Sequence, residues 1–358
     1  MARGGRTGSP GDGPLDVAIV GDRFMHSARF EAALHAACDV PLACRGLDLP
    51  WPDEPMVHGR AEEGTEGLAE LQGDPGRIVE HVGTASVFVT HLAPLSRAMI
   101  ARLPDLELVA VSRGGPVNID MVAAREAGVT VVNAPGRNAS AVAEFTIGAI
   151  IAETRNIARA HAALSRGRWQ GELYRADRQR DELSRLTVGV IGYGEIGTRV
   201  VRLLRAFGGE ILVSDPYASL DAEDRAAGVR QVGLDELLGE ADVVTLHARV
   251  TDETRGFMDA AAFARMRPGC VFVNTARGPM VDHAALHDAL AGGHLGGAML
   301  ETFAEEPTPA DLPLLALPNV TLTPHIAGAS LTTVRVAAEK VAEEVRRHLA
   351  GEPPLNPC

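Results

Sequence analysis

Short β-branched runs alternate with alanine-rich stretches of helical period through the first third of the chain. Val17–Val20, Ser86–Thr90, Leu106–Val111 and Val129–Val132 read as strands between "LDVAIVGDRFM" and "GVTVVNAPG", and the alternation predicts a small α/β sheet. In "NASAVAEFTIGAIIAETRNIARAHAAL", Val142, Phe145, Ala149 and Ala152 recur at steps of three and four, and Ile147, Ile150, Ile151 and Ile157 widen the apolar face. With no interior proline this reads as one long, heavily buried helix, capped by Asn138 or Ser140 and suited to joining domains or facing a second subunit.

The polar stretch "SRGRWQGELYRADRQRDELSR" leads to "LTVGVIGYGEIGTRVVRLLRAFGGEILVSDPYAS", which reads strand, glycine turn, helix, strand. Four further strand-like segments follow in "ADVVTLHARV", "GCVFVNTARG", "LGGAMLETF" and "NVTLTPHIA", most of them preceded by a helical stretch. That order predicts a doubly wound parallel sheet. The closing "LTTVRVAAEKVAEEVRRHLAG" is amphipathic and is expected to return to the first domain.

A chain of 358 residues exceeds what one core usually organises, so two domains are expected, and 46% hydrophobic residues supply both cores. A net charge of −13 without any Lys/Arg-rich run argues against nucleic acid or an anionic membrane as partner. Cys38, Cys44, Cys270 and Cys358 form no C-x-x-C or metal-ligand spacing, so neither a metal site nor a disulfide framework is expected, and a reducing cytoplasm fits. Residues 1–13 are expected to be a disordered tail rather than a secretory signal, and no run is long enough to span a membrane. No regulatory domain is expected beyond residue 350.

Gly192, Gly194 and Gly197 lie in "VGVIGYGEIGTRV", directly after an apolar strand and at the start of a helix. In that context the first two glycines permit a tight turn and close approach to a pyrophosphate, and the third permits close packing of helix on strand. The helix N-terminus presents free N–H groups to the phosphates. Asp215, ending the second strand "EILVSD", suits the ribose hydroxyls of an adenosine. It would repel a 2′-phosphate, and no arginine follows at once, so NAD is favoured over NADP.

Taken with "VNAPGRNASAVAE", "ETRGFMDAAAFARMRPGCVFVNTARG", "LETFAEEP" and "LTPHIAGAS", this segment resembles the D-isomer-specific 2-hydroxyacid dehydrogenase family from about residue 85 to 345. The resemblance implies a Rossmann NAD-binding domain, residues 135–325, inserted into a smaller flavodoxin-like substrate domain of residues 14–134 plus 326–358. It implies doubly wound parallel sheets in both, an active site in the cleft between them, and a homodimer. The substrate would be a small anionic 2-hydroxy or 2-oxo acid. By the same resemblance Glu195, Ile196, His247, Thr275, Ala276, Glu301 and Gly328 join the glycines and Asp215 at the cofactor.

The resemblance also assigns the chemistry. Arg277, at the end of the strand in "NTARG", offers a rigid guanidinium fork to a carboxylate and its neighbouring carbonyl. His325, at another strand end on the same sheet edge, would give a proton to the nascent alkoxide and take it back in reverse. Glu306 holds the family's carboxylate position and would orient the ring and stabilise its charged form; its neighbour Glu305 is expected to be solvated. In "VSRGGPVNID", Gly114 and Gly115 would bind an anion through backbone N–H groups. Arg113 would hold a phosphate or second carboxylate at the far end of the substrate, or form a salt bridge, and Asn138 would place nicotinamide or substrate. Three residues depart from the family pattern: Pro116 lacks an N–H, Glu301 stands in place of aspartate, and Arg249 in place of proline.

No G-x-S-x-G elbow supports hydrolysis. The alternatives to a dehydrogenase are an NAD(H)-sensing corepressor-like binding protein and a phosphite- or phosphonate-acting relative.

Overall fold

A computed structural model of the chain describes residues 14–52 and 57–358; the expected N-terminal tail lies outside the described residues. Two compact units result, one from the residues up to Arg137 together with Ser330–Cys358, the other Asn138–Ala329. The chain thus crosses between units a few residues later than the joins read from sequence at 134 and 325. Among the described residues no helix is long and apolar enough to cross a membrane.

The first unit is built on β1 (Leu15–Gly21), β2 (Leu42–Asp48), β3 (Val87–Thr90), β4 (Leu108–Val111) and β5 (Thr130–Val132), in the order β2-β1-β3-β4-β5. All neighbours are parallel. This is the flavodoxin-like order, whose switch point lies between β1 and β3. Its central strands are buried on both faces, as continuous apolar runs require. Helices Ser27–Ala37 and Leu331–Leu349 pack on each other and cover one face, with Phe30, Leu34, Val334, Ala337, Val341 and Val345 in the core. The C-terminal segment is fastened there too. Buried Glu344 accepts Leu355 N and Asn356 N, and Cys358 N donates to Val131 O.

The second unit holds β6 (Thr187–Ile191), β7 (Glu210–Ser214), β8 (Arg230–Gln231), β9 (Val243–Leu246), β10 (Val271–Asn274), β11 (Gly297–Leu300) and β12 (Val320–Leu322). They are ordered β12-β11-β10-β9-β6-β7-β8, again all parallel. The order reverses between β6 and β9, so the crevice at their carboxyl ends is the place where such sheets bind ligands. One apolar cluster fills each face of the sheet.

Three features differ from the sequence reading. The expected single long helix is two, Ala139–Thr154 and Ile157–Leu164, broken at Asn156 with φ of 57°. Asparagine tolerates this left-handed conformation better than most residues. Asn138 occupies the N-cap position but makes no side-chain capping bond. Strands β2 and β8, both at sheet edges, went unread because their side chains are largely half-buried or exposed and carry no apolar alternation.

Candidate active site

The glycine turn is shaped by what its neighbours exclude. Gly192 has φ of 97°, and a Cβ there would lie 2.7 Å from Ala248 N on the loop after β9; one on Gly197 would lie 2.0 Å from Gly192 O. At Gly194 a Cβ would meet nothing within 4 Å. Two glycines therefore allow the backbone to close on itself, and the third leaves open space before helix Glu195–Arg205, whose N-terminus has no side-chain cap. Those N–H groups are what a pyrophosphate needs. Glu195 is exposed and pairs with Arg199, while Ile196 packs on the unit's core.

Asp215 fixes the turn as well as facing it. Its Oδ2 accepts Tyr193 N at 2.8 Å, and its Oδ1 accepts Tyr217 N at 2.8 Å and Ala218 N at 2.9 Å. With one N–H on Oδ2, that oxygen keeps a lone pair for a ribose hydroxyl. Buried His247 donates its own N–H to Ile191 O, places Nε2 2.9 Å from Thr245 Oγ1 and leaves Nδ1 without a partner. Burial pushes this imidazole down to about 3, so it is neutral. The open Gly194, the uncapped helix and the unpartnered polar atom together fit a dinucleotide.

Arg277, Glu306 and His325 lie at the carboxyl ends of β10, β11 and β12. His325 Nδ1 is 2.6 Å from Glu306 Oε2, and Glu306 Oε1 accepts Phe303 N at 2.8 Å. Burial alone would raise the Glu306 carboxyl, but the bond to and charge of His325, the Phe303 N–H and Arg277 outweigh it and hold the group below the usual carboxylate range. An ionised carboxylate only accepts, so Nδ1 carries the hydrogen and Nε2 is left for chemistry. The histidine has φ of 52°, an uncommon conformation for a side chain of this size. Its N–H is held by Glu301 O at 3.0 Å and Thr323 O at 3.1 Å.

Arg277 is exposed, and its Nη1 donates to Ala276 O at 2.7 Å. Its charge reaches both Glu306 and Glu301. The turn that carries it is set by Asn274, whose Oδ1 accepts Ala276 N and whose Nδ2 donates to Arg277 O. Gly278 permits the loop holding Glu306 to approach, since a Cβ there would sit 1.8 Å from Phe303 C.

The remaining positions of this unit gather around the same edge. Glu301 is buried, its Oε1 accepts Ala327 N at 2.7 Å, and burial raises its carboxyl. Thr275 is hydrogen-bonded to Thr146 at 2.8 Å, and Ala276 is buried beside it. A Cβ on Gly328 would lie 2.6 Å from Asn138 Nδ2, so these two residues are in contact. Glu305 is exposed, and Arg249 is exposed on the loop after β9.

In the first unit Gly114 and Gly115 are exposed, with open space around Gly115. Arg113 is paired: Nη1 donates to Glu70 O at 2.9 Å, and Nη2 meets the Glu70 carboxylate. The salt bridge is thus the arrangement found. A set of residues missed in the sequence lies at the β1/β3 switch point. Asp22 Oδ2 is 2.6 Å from His91 Nδ1, and His91 Nε2 is 3.3 Å from Arg137 Nη2. Because guanidinium only donates, His91 Nε2 must accept, which makes the ring neutral; burial, opposed by Asp22, also lowers it. Arg137 Nη1 is buried and unpartnered, and burial pushes the guanidinium down to about 10. Nothing in the local sequence "PGRN" distinguishes this arginine from a loop cation.

Residues 147–327 match the sequence profile described as D-isomer specific 2-hydroxyacid dehydrogenase, NAD binding domain. A D-3-phosphoglycerate dehydrogenase of Mycobacterium tuberculosis is 39% identical over 267 residues, 75% of this chain and 49% of that protein. The chain therefore spans about half the length of that relative. A glyoxylate reductase of Korarchaeum cryptofilum is 36% identical over 280 residues, 78% of this chain and 84% of the reductase. Among solved structures, a D-lactate dehydrogenase from Treponema pallidum matches with a TM-score of 0.78 at 22% identity, over 96% of this chain and 99% of the other, a likeness of fold.

Proposed function

We propose, since the chain belongs to the D-isomer specific 2-hydroxyacid dehydrogenase family, that it interconverts a small D-2-hydroxy acid and its 2-oxo acid. Its cofactor is NAD, whose binding domain it carries at residues 147–327. Bound NAD supplies or accepts the hydride. The chain's own residues do the rest. Arg277 holds the carboxylate and polarises the carbonyl oxygen. His325 passes the proton through Nε2, as donor in reduction and acceptor in oxidation. Glu306 keeps the ring in the tautomer and orientation that make Nε2 available.

The observation that carries this reading is the 2.6 Å contact of Glu306 with His325 within the electrostatic reach of Arg277. Gly114 and Gly115 are proposed to bind the substrate carboxylate through backbone N–H groups, from the family resemblance, and Asn138 to place substrate or nicotinamide. Arg137 is proposed to supply the first unit's cation toward the acid, since its guanidinium is anchored by His91 and keeps an unpartnered donor.

The test is to mix the protein with NADH and a panel of 2-oxo acids and follow absorbance. Turnover of at least one acid supports the reading. Tight NADH binding without turnover of any acid would instead favour an NAD(H)-sensing protein.

A further inference from the structure

We propose that Glu31, His35 and Cys44 form a binding site for one divalent transition-metal ion of the zinc or cobalt type on the first unit. Their candidate ligand atoms all lie within 4.8 Å of one another, the one such group of three among the described residues. The site is distinct from the proposed dehydrogenase chemistry and does not rest on it.

The fold brings these residues together in a way that sequence spacing does not reveal. Glu31 and His35 are one helical turn apart on helix Ser27–Ala37 and share a face. Phe30 and Leu34, each one residue earlier, point into the core, so Glu31 and His35 stand at its rim. Cys44 comes from the edge strand β2, paired in register with Val17 of β1. It packs against the same apolar cluster as the helix, as does Cys38 just past the helix end. His35 Nε2 and Glu31 Oε1 are 3.9 Å apart. Ligands of tetrahedral zinc, with bonds of about 2.0 to 2.3 Å, stand roughly 3.4 to 3.7 Å from one another. Closing the group on an ion therefore asks each pair of ligand atoms to draw together by at most about 1.4 Å, within the reach of side-chain torsions.

The donor set selects the metal. One thiolate, one imidazole and one carboxylate suit zinc or cobalt and leave a fourth position for water, whereas magnesium and calcium prefer oxygen alone. An ion here would tie the edge strand to the helix beside it, a place where a sheet is otherwise open to pairing with another chain.

The experiment is a cobalt(II) chloride titration of the reduced full-length chain, followed by absorbance, with zinc chloride then added. The expected result is one equivalent bound with a thiolate-to-cobalt charge-transfer band, displaced by zinc. Cys44→Ser should abolish the band, and His35→Ala and Glu31→Gln should each weaken binding at least about tenfold. Far-ultraviolet circular dichroism and a wild-type-like melting transition, recorded without metal, report that each variant is folded. Absence of the band at saturating cobalt would overturn the site, as would a band of undiminished strength in Cys44→Ser or unweakened binding in both His35→Ala and Glu31→Gln.

Discussion

Glu306 binds His325 through a 2.6 Å contact between Oε2 and Nδ1, while its other oxygen is fixed by the Phe303 N–H at 2.8 Å. The acid is thus anchored to the β11 loop before it reaches the ring on the β12 loop, which in the proposed reaction gives it a positioning role. Glu306→Gln should leave NADH affinity unchanged and lower kcat by about 10- to 100-fold, less than the full worth of general acid–base catalysis. The pH dependence of its stability has a definite sign. The folded carboxyl is held below its unfolded value, so its contribution is present above about pH 4.5 and lost as pH falls through the folded value. Melting temperatures of wild type and Glu306→Gln should therefore differ at pH 7 and converge in acid.

Glu301 runs the other way. Burial raises its carboxyl, so the charged form costs stability, a cost absent below the unfolded value and growing as pH rises through the folded one. Glu301→Gln keeps an acceptor for the Ala327 N–H and removes the charge. It should melt higher than wild type at pH 8 and gain little at pH 4. An equal gain at both values would refute the account of Glu301 as a buried charge.

The second and third glycines of the turn make opposite predictions. Gly194→Ala places its methyl in open space at φ of −89°, so the melting temperature should hold while NADH affinity falls at least about tenfold, ~1.4 kcal/mol. Gly197→Ala would drive a methyl into Gly192 O and should destabilise the unit itself. Calorimetry on both variants, with an NADH titration of Gly194→Ala, checks the contrast.

Arg137 is the cation this account adds to the first unit. Arg137→Met should raise KM for the acid at least about tenfold and leave KM for NADH unchanged. A shift in KM for NADH of the same size would remove Arg137 from substrate binding.

What the sequence could tell depended on how local the signal was. The glycine turn and Asp215 were legible because one strand, one turn and one helix carry them all. Arg277, Glu306 and His325 were legible only as motifs at fixed order along the chain, since three different strand ends deliver them. The break at Asn156 was not legible. It is held by the pairing of buried Glu153 with Arg159 and by Thr154 bonding back to Ile150 O, contacts no periodicity reports. From sequence Arg113 reads as a substrate or salt-bridge cation and Arg137 is passed over; their partners, Glu70 for the one and His91 for the other, come from distant segments. Glu31, His35 and Cys44 escaped for a related reason: two lie on a helix and the third on the next strand.

The most direct test of the proposed chemistry is steady-state turnover of His325→Ala on the best 2-oxo acid, beside an NADH binding titration. The account predicts a fall in kcat of about 10²- to 10⁴-fold with NADH affinity nearly unchanged. Turnover within a few-fold of wild type would contradict it.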